Sequence, residues 1–420
     1  MKMQSIAVVG GGITGVTTAY ALAKRGFNVT LLERHRYAAM ETSFANGGQL
    51  SASNAEVWNH TSTILKGLKW MLRNDAPLLV NPKPSWHKLS WFAEFIAHIP
   101  NYRANTIATT RLAIAARDHL FAWAEAEGLD FDLKRQGILH IYRDKKGFDH
   151  AAQVSRLLAQ GGLQRRAVTP AEMRAIEPTL AGTYYGGFYT DSDATGDIHK
   201  FTVGLAAAAE RLGVRCLYGQ EVMKLHSDGQ RATVTTRDDN GQHTRTFDGL
   251  VVCAGVGSRD FAAQLGDRVN VYPVKGYSIT VNLSDSHSQR AAPTVSLLDD
   301  ETKLVTSRLG LDRFRVAGTA EFNGANRDIR ADRIRPLIDW VNQCFPGVNT
   351  RQVVPWAGLR PMMPRVGAGR RVNVFYNTGH GHLGWTLSAV TADMVAEQVL
   401  SAGTGRAAVA VPVSALHVKF

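Results

Sequence analysis

Apolar residues run without a break over 6–9, stop at Gly10, Gly11 and Gly12, and resume at Val16, Ala19, Tyr20 and Ala23 with helical spacing. A second apolar run over 29–32 ends in Glu33. The pattern predicts a strand, a glycine turn, a helix stopped at Gly26, and a second strand. Strands this continuously apolar belong to a parallel sheet covered on both faces. Residues 58–124 read as helical and aromatic (Trp70, Trp86, Trp91, Phe92, Phe95, Phe121, Trp123), and Pro77, Pro82, Pro84 and Pro100 predict that they break into short helices.

Residues 137–142 read as a strand. A polar loop over 191–197 leads into a helix over 198–212 that Gly213 ends. Residues 250–255 form another apolar strand, finishing in Ala254 and Gly255; small residues suit a chain that passes beside a bound cofactor. Alternation over 271–274, 277–281, 303–307 and 314–317 predicts a second sheet, followed by a helix over 334–345. Residues 374–386 predict a strand, a glycine loop and a helix from about Leu383, with Leu383, Leu387, Val390, Met394 and Val395 on its apolar face.

At 420 residues the chain exceeds one hydrophobic core, so two domains are expected. The expected division is a discontinuous cofactor-binding domain (1–60, 165–265, 355–420) and a substrate domain (61–164, 266–354). With 45% hydrophobic residues and no low-complexity tract, an ordinary globular protein is expected. No apolar run is long enough to cross a membrane, and the first apolar run is broken by glycines, unlike a signal peptide. Cys216, Cys253 and Cys344 lie far apart and outside any metal-ligand spacing, which predicts no metal, no disulfide framework and a reducing, cytoplasmic location. The net charge of +12 comes from scattered residues and accompanies no nucleic-acid-binding motif. A solvated basic surface is expected, with a membrane-surface patch over 66–72 and 78–80 as the alternative.

The chemistry enters with the glycines. In a strand–turn–helix, Gly10 makes the tight turn and Gly12 admits a pyrophosphate. Gly15 lets helix and strand approach closely, and Glu33 holds a ribose hydroxyl. Ile13 and Thr14 then present helix N-terminal N–H groups to phosphate. The bland alternative is the same strand–helix–strand unit with no nucleotide. A second glycine-rich strand–loop–helix near the C-terminus favours FAD over NAD, because a nicotinamide domain is usually contiguous.

Together with these, five stretches resemble the FAD-dependent D-amino-acid dehydrogenase family, within the wider group of amino-acid and glycine oxidases, over nearly the whole chain. They are ETSFANGGQ (41–49), KGLKWM (66–71) followed by APL (76–78), YPVKGYS (272–278), WAGLRP (356–361) and NTGHGHLGWT (377–386). The resemblance implies an α/β fold: a Rossmann-like FAD-binding domain interleaved with an α+β substrate domain on a mixed or antiparallel sheet. It implies non-covalent FAD and oxidation of a small-molecule D-amino acid by hydride transfer from Cα to flavin N5. The imino acid product hydrolyses to a 2-oxo acid, and electrons pass to a quinone, with peripheral association at the inner face of the cytoplasmic membrane. Carried over, Arg34, Ser43, Asn46, Gly47, Gln49 and Leu50 join the cofactor site, with Val222 at the adenine end. Gly379, Gly381, Leu383, Gly384, Trp385 and Thr386 lie at the flavin end.

Arg360 is the expected carboxylate anchor, since a guanidinium grips a carboxylate with two parallel N–H bonds. Its alternative is a structural ion pair. Arg308 is a candidate second anchor. Tyr277 is a candidate hydrogen-bond donor, Lys275 a candidate neighbour of the flavin edge, and His380, with His382, a loop-shaping or catalytic candidate. The chain departs from the family at 365–371, a shorter segment than usual in a loop that lies near the flavin there, which suggests cyclic substrates such as cis-4-hydroxy-D-proline. Two other functions remain open: an oxygen-using glycine- or sarcosine-type amine oxidase, and a flavin-binding subunit without catalysis. The lack of a cysteine in the C-terminal glycine loop speaks against a covalent flavin.

Overall fold

A computed structural model describes residues 3–60 and 77–404. The block 66–71, Trp70 and Ala76 lie outside the described residues. The N-terminal pattern forms as expected: β1 (Ser5–Val9), α1 (Ile13–Ala23) and β2 (Asn28–Leu32). β1 pairs in parallel with β2 on one side and with β13 (Gly249–Val252) on the other. β9 (Arg215–Leu217) extends this parallel group beyond β2, and β19 (Val374–His380) extends it beyond β13. Segments from both ends of the chain therefore meet in one parallel layer. α1, α6 (Ile198–Arg211) and α10 (Ser388–Thr404) bury their apolar sides in a single core with it.

The predicted second sheet is not separate. β14 (Tyr272–Asn282), β17 (Arg313–Phe322) and β16 (Leu304–Leu309) pair antiparallel with one another. The strand β18 (Val353–Ala368) joins β14 to β19, so one fourteen-stranded sheet runs through the described residues. β18 pairs with β14 over its first half and with β19 over its second, which welds the two layers. The far end of the sheet is β15 (Ser296–Asp299), β5 (Ile138–Tyr142), β7 (Gly186–Thr190) and β6 (Arg166–Val168). β6 and β7, from a stretch expected with the cofactor half, thus join the sheet at its opposite end, β7 on β5 and β6 on β7. β10–β12 (Glu221–Ser227, Ala232–Asp238, Gly241–Phe247) form a small antiparallel sheet of their own.

Two helical expectations change. The region after residue 80 holds α2 (Trp86–Ala97) and then α3 (Tyr102–Ala126), one uninterrupted helix of 25 residues, because no proline follows Pro100 until long after it ends. The C-terminal glycine loop closes in a short 3₁₀ turn over Gly381–Leu383, and α10 begins only at Ser388, not near Leu383. Opposite faces of β14 pack differently. Tyr277, Ile279 and Val281 face α9 (Ala331–Cys344), whereas Tyr272 and Val274 face α2. This follows from the two-residue period of a strand and decides where the polar residues of this strand point.

Candidate active site

A cavity of about 860 Å³ opens at the carboxyl ends of β1 and β2 and extends to β18 and the C-terminal glycine loop. That volume lies in the range of ligand sites and toward its upper end. Gly10, Gly12, Ile13, Thr14, Glu33, Arg34, Ser43, Asn46, Gly47 and Gln49 line it, as do Val222, Ala254 and Gly255. Gly15 does not: a Cβ there would stand 1.8 Å from the Gly10 carbonyl oxygen, so its glycine serves helix–strand contact. Gly10 has φ 107° and packs on the Cys253 carbonyl, a conformation and a distance that exclude other residues. Leu50 does not line the cavity; it is fully buried in the core, and its backbone pairs with Ala194.

Several groups at this end are held in place by backbone. Gly11 N–H (2.6 Å) and His35 N–H (2.8 Å) donate to the two carboxylate oxygens of Glu33. Ile13 N–H donates to Ser43 Oγ at 3.0 Å, which holds the 41–43 loop against the α1 terminus. Glu41 pairs with Arg34, with His35 (2.9 Å) and with Arg327 (2.6 Å). Burial alone would raise its carboxyl, but hydrogen bonds from Arg327 and His35 and the Arg34 charge hold it down to about 2. Gly12 gives α1 no side-chain cap and its first turn holds no acid, so apart from the Ser43 hydroxyl on Ile13 N–H nothing offsets its positive end, which favours an anion.

The other end is walled by Gly379, His380, Gly381, His382, Leu383, Gly384, Trp385 and Thr386. Thr386 Oγ1 accepts from Ser51 N–H at 3.2 Å. His382 stacks on Trp58 at 5.1 Å, and its Nε2 lies 3.2 Å from the Asn54 carbonyl. Burial depresses His380 and His382 to about 4; the Arg360 and Lys303 charges add to the effect at His382. Both imidazoles are therefore neutral near pH 7. Both ring nitrogens of His380 and the Trp385 indole N–H are buried without a hydrogen-bond partner among the described residues. The positive end of α1, the backbone-fixed Glu33 and the glycine-rich walls at both ends of the cavity fit FAD.

Arg360 projects from β18 into this cavity. Its Nη1 donates to the Thr319 carbonyl (2.7 Å) and its Nη2 to that of Gly318 (3.3 Å). β17 bulges there: Lys275 opposes Glu321 but Tyr277 opposes Gly318, and Thr319 takes a left-handed φ of 56°. The bulge interrupts the ladder at the carbonyls that hold the guanidinium. No carboxylate lies within ion-pair distance of Arg360 among the described residues, so it is not the structural ion pair that the sequence left open. Burial lowers it only to about 10, so it stays charged.

Three other candidates sit elsewhere. Tyr277 and Lys275 point to the α9 face of β14, away from Arg360. Tyr277 Oη donates to Glu321 Oε2 at 2.7 Å, and only its position in the wall meets the cavity. Lys275 Nζ is fully buried, 2.6 Å from Asn326 Oδ1 and 3.4 Å from Glu321 Oε1. It anchors the 324–327 loop instead of meeting a flavin edge. Arg308 donates to the carbonyls of Gln289, Ala292 and Leu311 and does not line the cavity. Residues 365–368 end β18, paired with β19, and 369–371 begin the turn between them, where Arg370 N–H donates to Asp267; none of 365–371 lines the cavity.

The sequence reading missed a polar layer beneath the 51–54 turn. Asp193, fully buried, accepts from Ala52 N–H and Ser53 N–H (both 3.0 Å) and from Arg117 Nη1 (3.1 Å). Its place in the 191–197 polar loop was visible, but not its partners. Beside it, Ser53 Oγ meets His140 Nε2 at 2.9 Å, and burial holds this histidine at about 4. Asp300, Lys303 and Glu56 line the cavity next to this layer. Among the described residues no group of three acidic, histidine or cysteine side chains is placed to hold a metal, and all three cysteines are free.

The family model of FAD dependent oxidoreductases matches residues 5–398. Among curated proteins, "D-amino acid dehydrogenase 3" of Mesorhizobium japonicum is 62% identical, over 94% of this chain and 97% of its own. A D-amino acid dehydrogenase of Paramagnetospirillum magneticum is 41% identical over 94% of each chain. Among solved structures, glycine oxidase from Geobacillus kaustophilus superposes with a TM-score of 0.74 at 20% identity, over 97% of this chain and 96% of that one. L-Proline dehydrogenase from P. horikoshii gives 0.74 at 16% identity, covering 98% and 96%.

Proposed function

The chain belongs to the FAD dependent oxidoreductase family, and from that premise we propose that it is a D-amino-acid dehydrogenase with non-covalently bound FAD. The observation that carries the proposal is Arg360: a charged guanidinium, fixed by two carbonyls, without an acidic partner among the described residues, in a cavity that reaches the α1 terminus. An α-carboxylate is the planar anion that its fork suits. FAD, when bound, supplies the two-electron acceptor. The substrate loses the Cα–H, the electron pair and one amine proton, and the resulting imino acid hydrolyses to a 2-oxo acid. His380 and His382, neutral near pH 7, add no second cation beside the ammonium group and leave its proton to pass to solvent.

Dehydrogenase in place of oxidase is supported by the names of the curated relatives; the glycine oxidase likeness, at 20% identity, speaks to fold alone. A quinone-type acceptor reached at a membrane surface belongs to the same proposal. Its support is the exposed apolar side of α2, with Trp86, Leu89 and Ile96; no described helix is long and apolar enough to cross a membrane. The preference for cis-4-hydroxy-D-proline loses its argument, since 365–371 lie off the cavity, and that compound enters the assay on equal terms with acyclic D-amino acids. The test is anaerobic mixing of the yellow holoprotein with D- and L-amino acids, followed by admission of oxygen or a quinone analogue. Bleaching by D-amino acids and faster recovery with the quinone are expected. Bleaching by L-amino acids only, or recovery in oxygen alone, refutes the proposal. Arg360→Met should keep its FAD absorbance while kcat/KM falls by about a hundred-fold or more.

A further inference from the structure

The wall of the cavity that holds Arg360 carries an ion pair that the proposed reaction does not use. Lys303 Nζ lies 2.9 Å from Asp300 Oδ1, and both residues line the cavity on the turn between β15 and β16. Asp300 is braced from behind by Tyr142, whose Oη donates to Oδ2 at 2.5 Å, and His140 Nδ1 lies 4.0 Å from the same oxygen. Burial would neutralise this carboxyl, but the Lys303 charge and the His140 contact hold it well below the usual range; Asp300 in turn raises Lys303. Both are charged. Lys303 also takes a left-handed backbone, φ 57°, which a lysine adopts only at a cost. Leu298 and Val305, on the strands flanking the turn, give the pair an apolar frame in the same wall.

A surface ion pair would earn no comment, since such pairs contribute little. This pair keeps 48% and 37% of its side-chain surface exposed, and its place is on the lining of the cavity that holds Arg360. His382 feels the charges of both Arg360 and Lys303, so both cations lie within electrostatic reach of one histidine. We propose that the Lys303–Asp300 pair is the subsite for the substrate side chain, and that it selects neutral side chains that both donate and accept hydrogen bonds, namely hydroxyls and carboxamides. This rests on the D-amino-acid reading above. The chemistry follows from the pair's balance. The ammonium has three donors, of which Asp300 takes one, and the carboxylate keeps lone pairs beyond those used by Lys303 and Tyr142. The two charges of the pair offset each other and Glu56 stands near Lys303, so an acidic side chain meets carboxylates, a basic one meets the ammonium, and either is desolvated at a cost. An aliphatic side chain covers the pair without satisfying it.

Isosteric substrates isolate the effect. Anaerobic flavin reduction by wild-type holoprotein gives kcat/KM for D-asparagine against D-leucine, and for D-threonine against D-valine. The polar member of each pair is expected to win by about ten-fold or more, and D-aspartate and D-lysine to fall below D-asparagine. In Lys303→Met both ratios should drop toward one, with FAD absorbance and Tm recorded to show that the variant is folded. If it does not fold, Asp300→Asn, which keeps the shape and removes the charge, is read in its place. Wild-type ratios at or below one overturn the subsite, and so do ratios that a folded variant leaves unchanged; in either case the D-amino-acid reading stands as long as D-substrates bleach the flavin. If none of these D-amino acids bleaches the flavin, that reading fails and the subsite fails with it.

Discussion

Gly276 offers a direct test of how Arg360 is placed. It lies in β14 opposite Gly358 of β18, and a Cβ built on it would stand 2.3 Å from the Cζ and Nη2 of Arg360 and 2.4 Å from Nη1. Non-bonded heavy atoms prefer about 3.5–4.0 Å, so Gly276→Ala must push the guanidinium about 1 Å or more from its seat. The atoms struck are the far end of a flexible side chain, so the fold should yield cheaply and Tm should move by about a few degrees or less. The bonds to Thr319 and Gly318 carbonyls, at 2.7 and 3.3 Å, cannot both survive that shift. A misplacement of about 1 Å at a positioning group costs about a hundred-fold in rate. The expected result is a kcat/KM for D-amino acids about a hundred-fold below wild type, expressed mainly in KM, with the FAD spectrum intact. A kcat/KM within about three-fold of wild type would show that the carboxylate is held elsewhere. A colourless or unfolded product would show that Gly276 serves the sheet instead of Arg360.

Arg360→Lys keeps the charge and loses the fork, so its kcat/KM should lie between wild type and Arg360→Met, about ten-fold or more below wild type; equality with wild type would refute two-point carboxylate binding. Asp193→Ala takes from Arg117 its buried carboxylate, leaving it Ser192 and the exposed Asp118, and frees two backbone N–H groups, so urea unfolding should show a loss of about 3 kcal/mol or more; a loss near zero would mean that the 51–54 turn holds itself. Acid should unfold the protein in a defined window. His140, His380 and His382 are held at about 4 against an ordinary 6.5, so the unfolded chain binds protons first as pH falls. Their contribution is complete above pH 6.5 and is lost progressively down to 4, whereas Glu41, held at about 2 against 4.5, adds its loss only below 4.5. Melting temperatures measured from pH 7.5 to 4.5 should fall, and a flat series would contradict the burial of these imidazoles. Gly15→Ala drives a methyl into the Gly10 backbone, where neither side can yield, and should abolish FAD retention or folding; a stable yellow variant would refute the close-contact role.

The parallel layer was legible because its signals are local. Continuous apolar runs, a glycine turn and an acid at the end of the second strand all lie within 6–33, and the structure forms those elements with shifts of a residue. The joining of the two predicted sheets was not legible. It depends on β18, which pairs with β14 through its first half and with β19 through its second, and nothing in the run 353–368 announces two partners. The same holds for 166–190: the order of pairing with β5 is a long-range fact that periodicity does not carry. Helix length after Pro100 was misjudged for a simpler reason, because prolines were weighed as breakers beyond the segment they occupy.

The site shows the same limit more sharply within seven residues. YPVKGYS drew attention to Lys275 and Tyr277 because they carry functional groups, yet the strand period sends both to the α9 face, where Glu321 and Asn326 bind them. The residue between them has no side chain and matters more to the cavity, because its bareness is what admits the Arg360 guanidinium. A strand read for chemistry has to be read one face at a time, and the sequence states the period but not the phase. Here the phase was recoverable in principle. Tyr277, Ile279 and Val281 form one apolar row, so that face belongs to a core, and a cavity on this strand must lie on the face of Gly276 and Ser278. Arg308 fails by the same logic: its strand neighbours do not decide its role, and the carbonyls beyond Gln289 that claim it arrive from another element. Polar residues on strands are thus assigned by which row they join, and the anchoring role that remains for Arg360 follows from a neighbour that is missing a side chain.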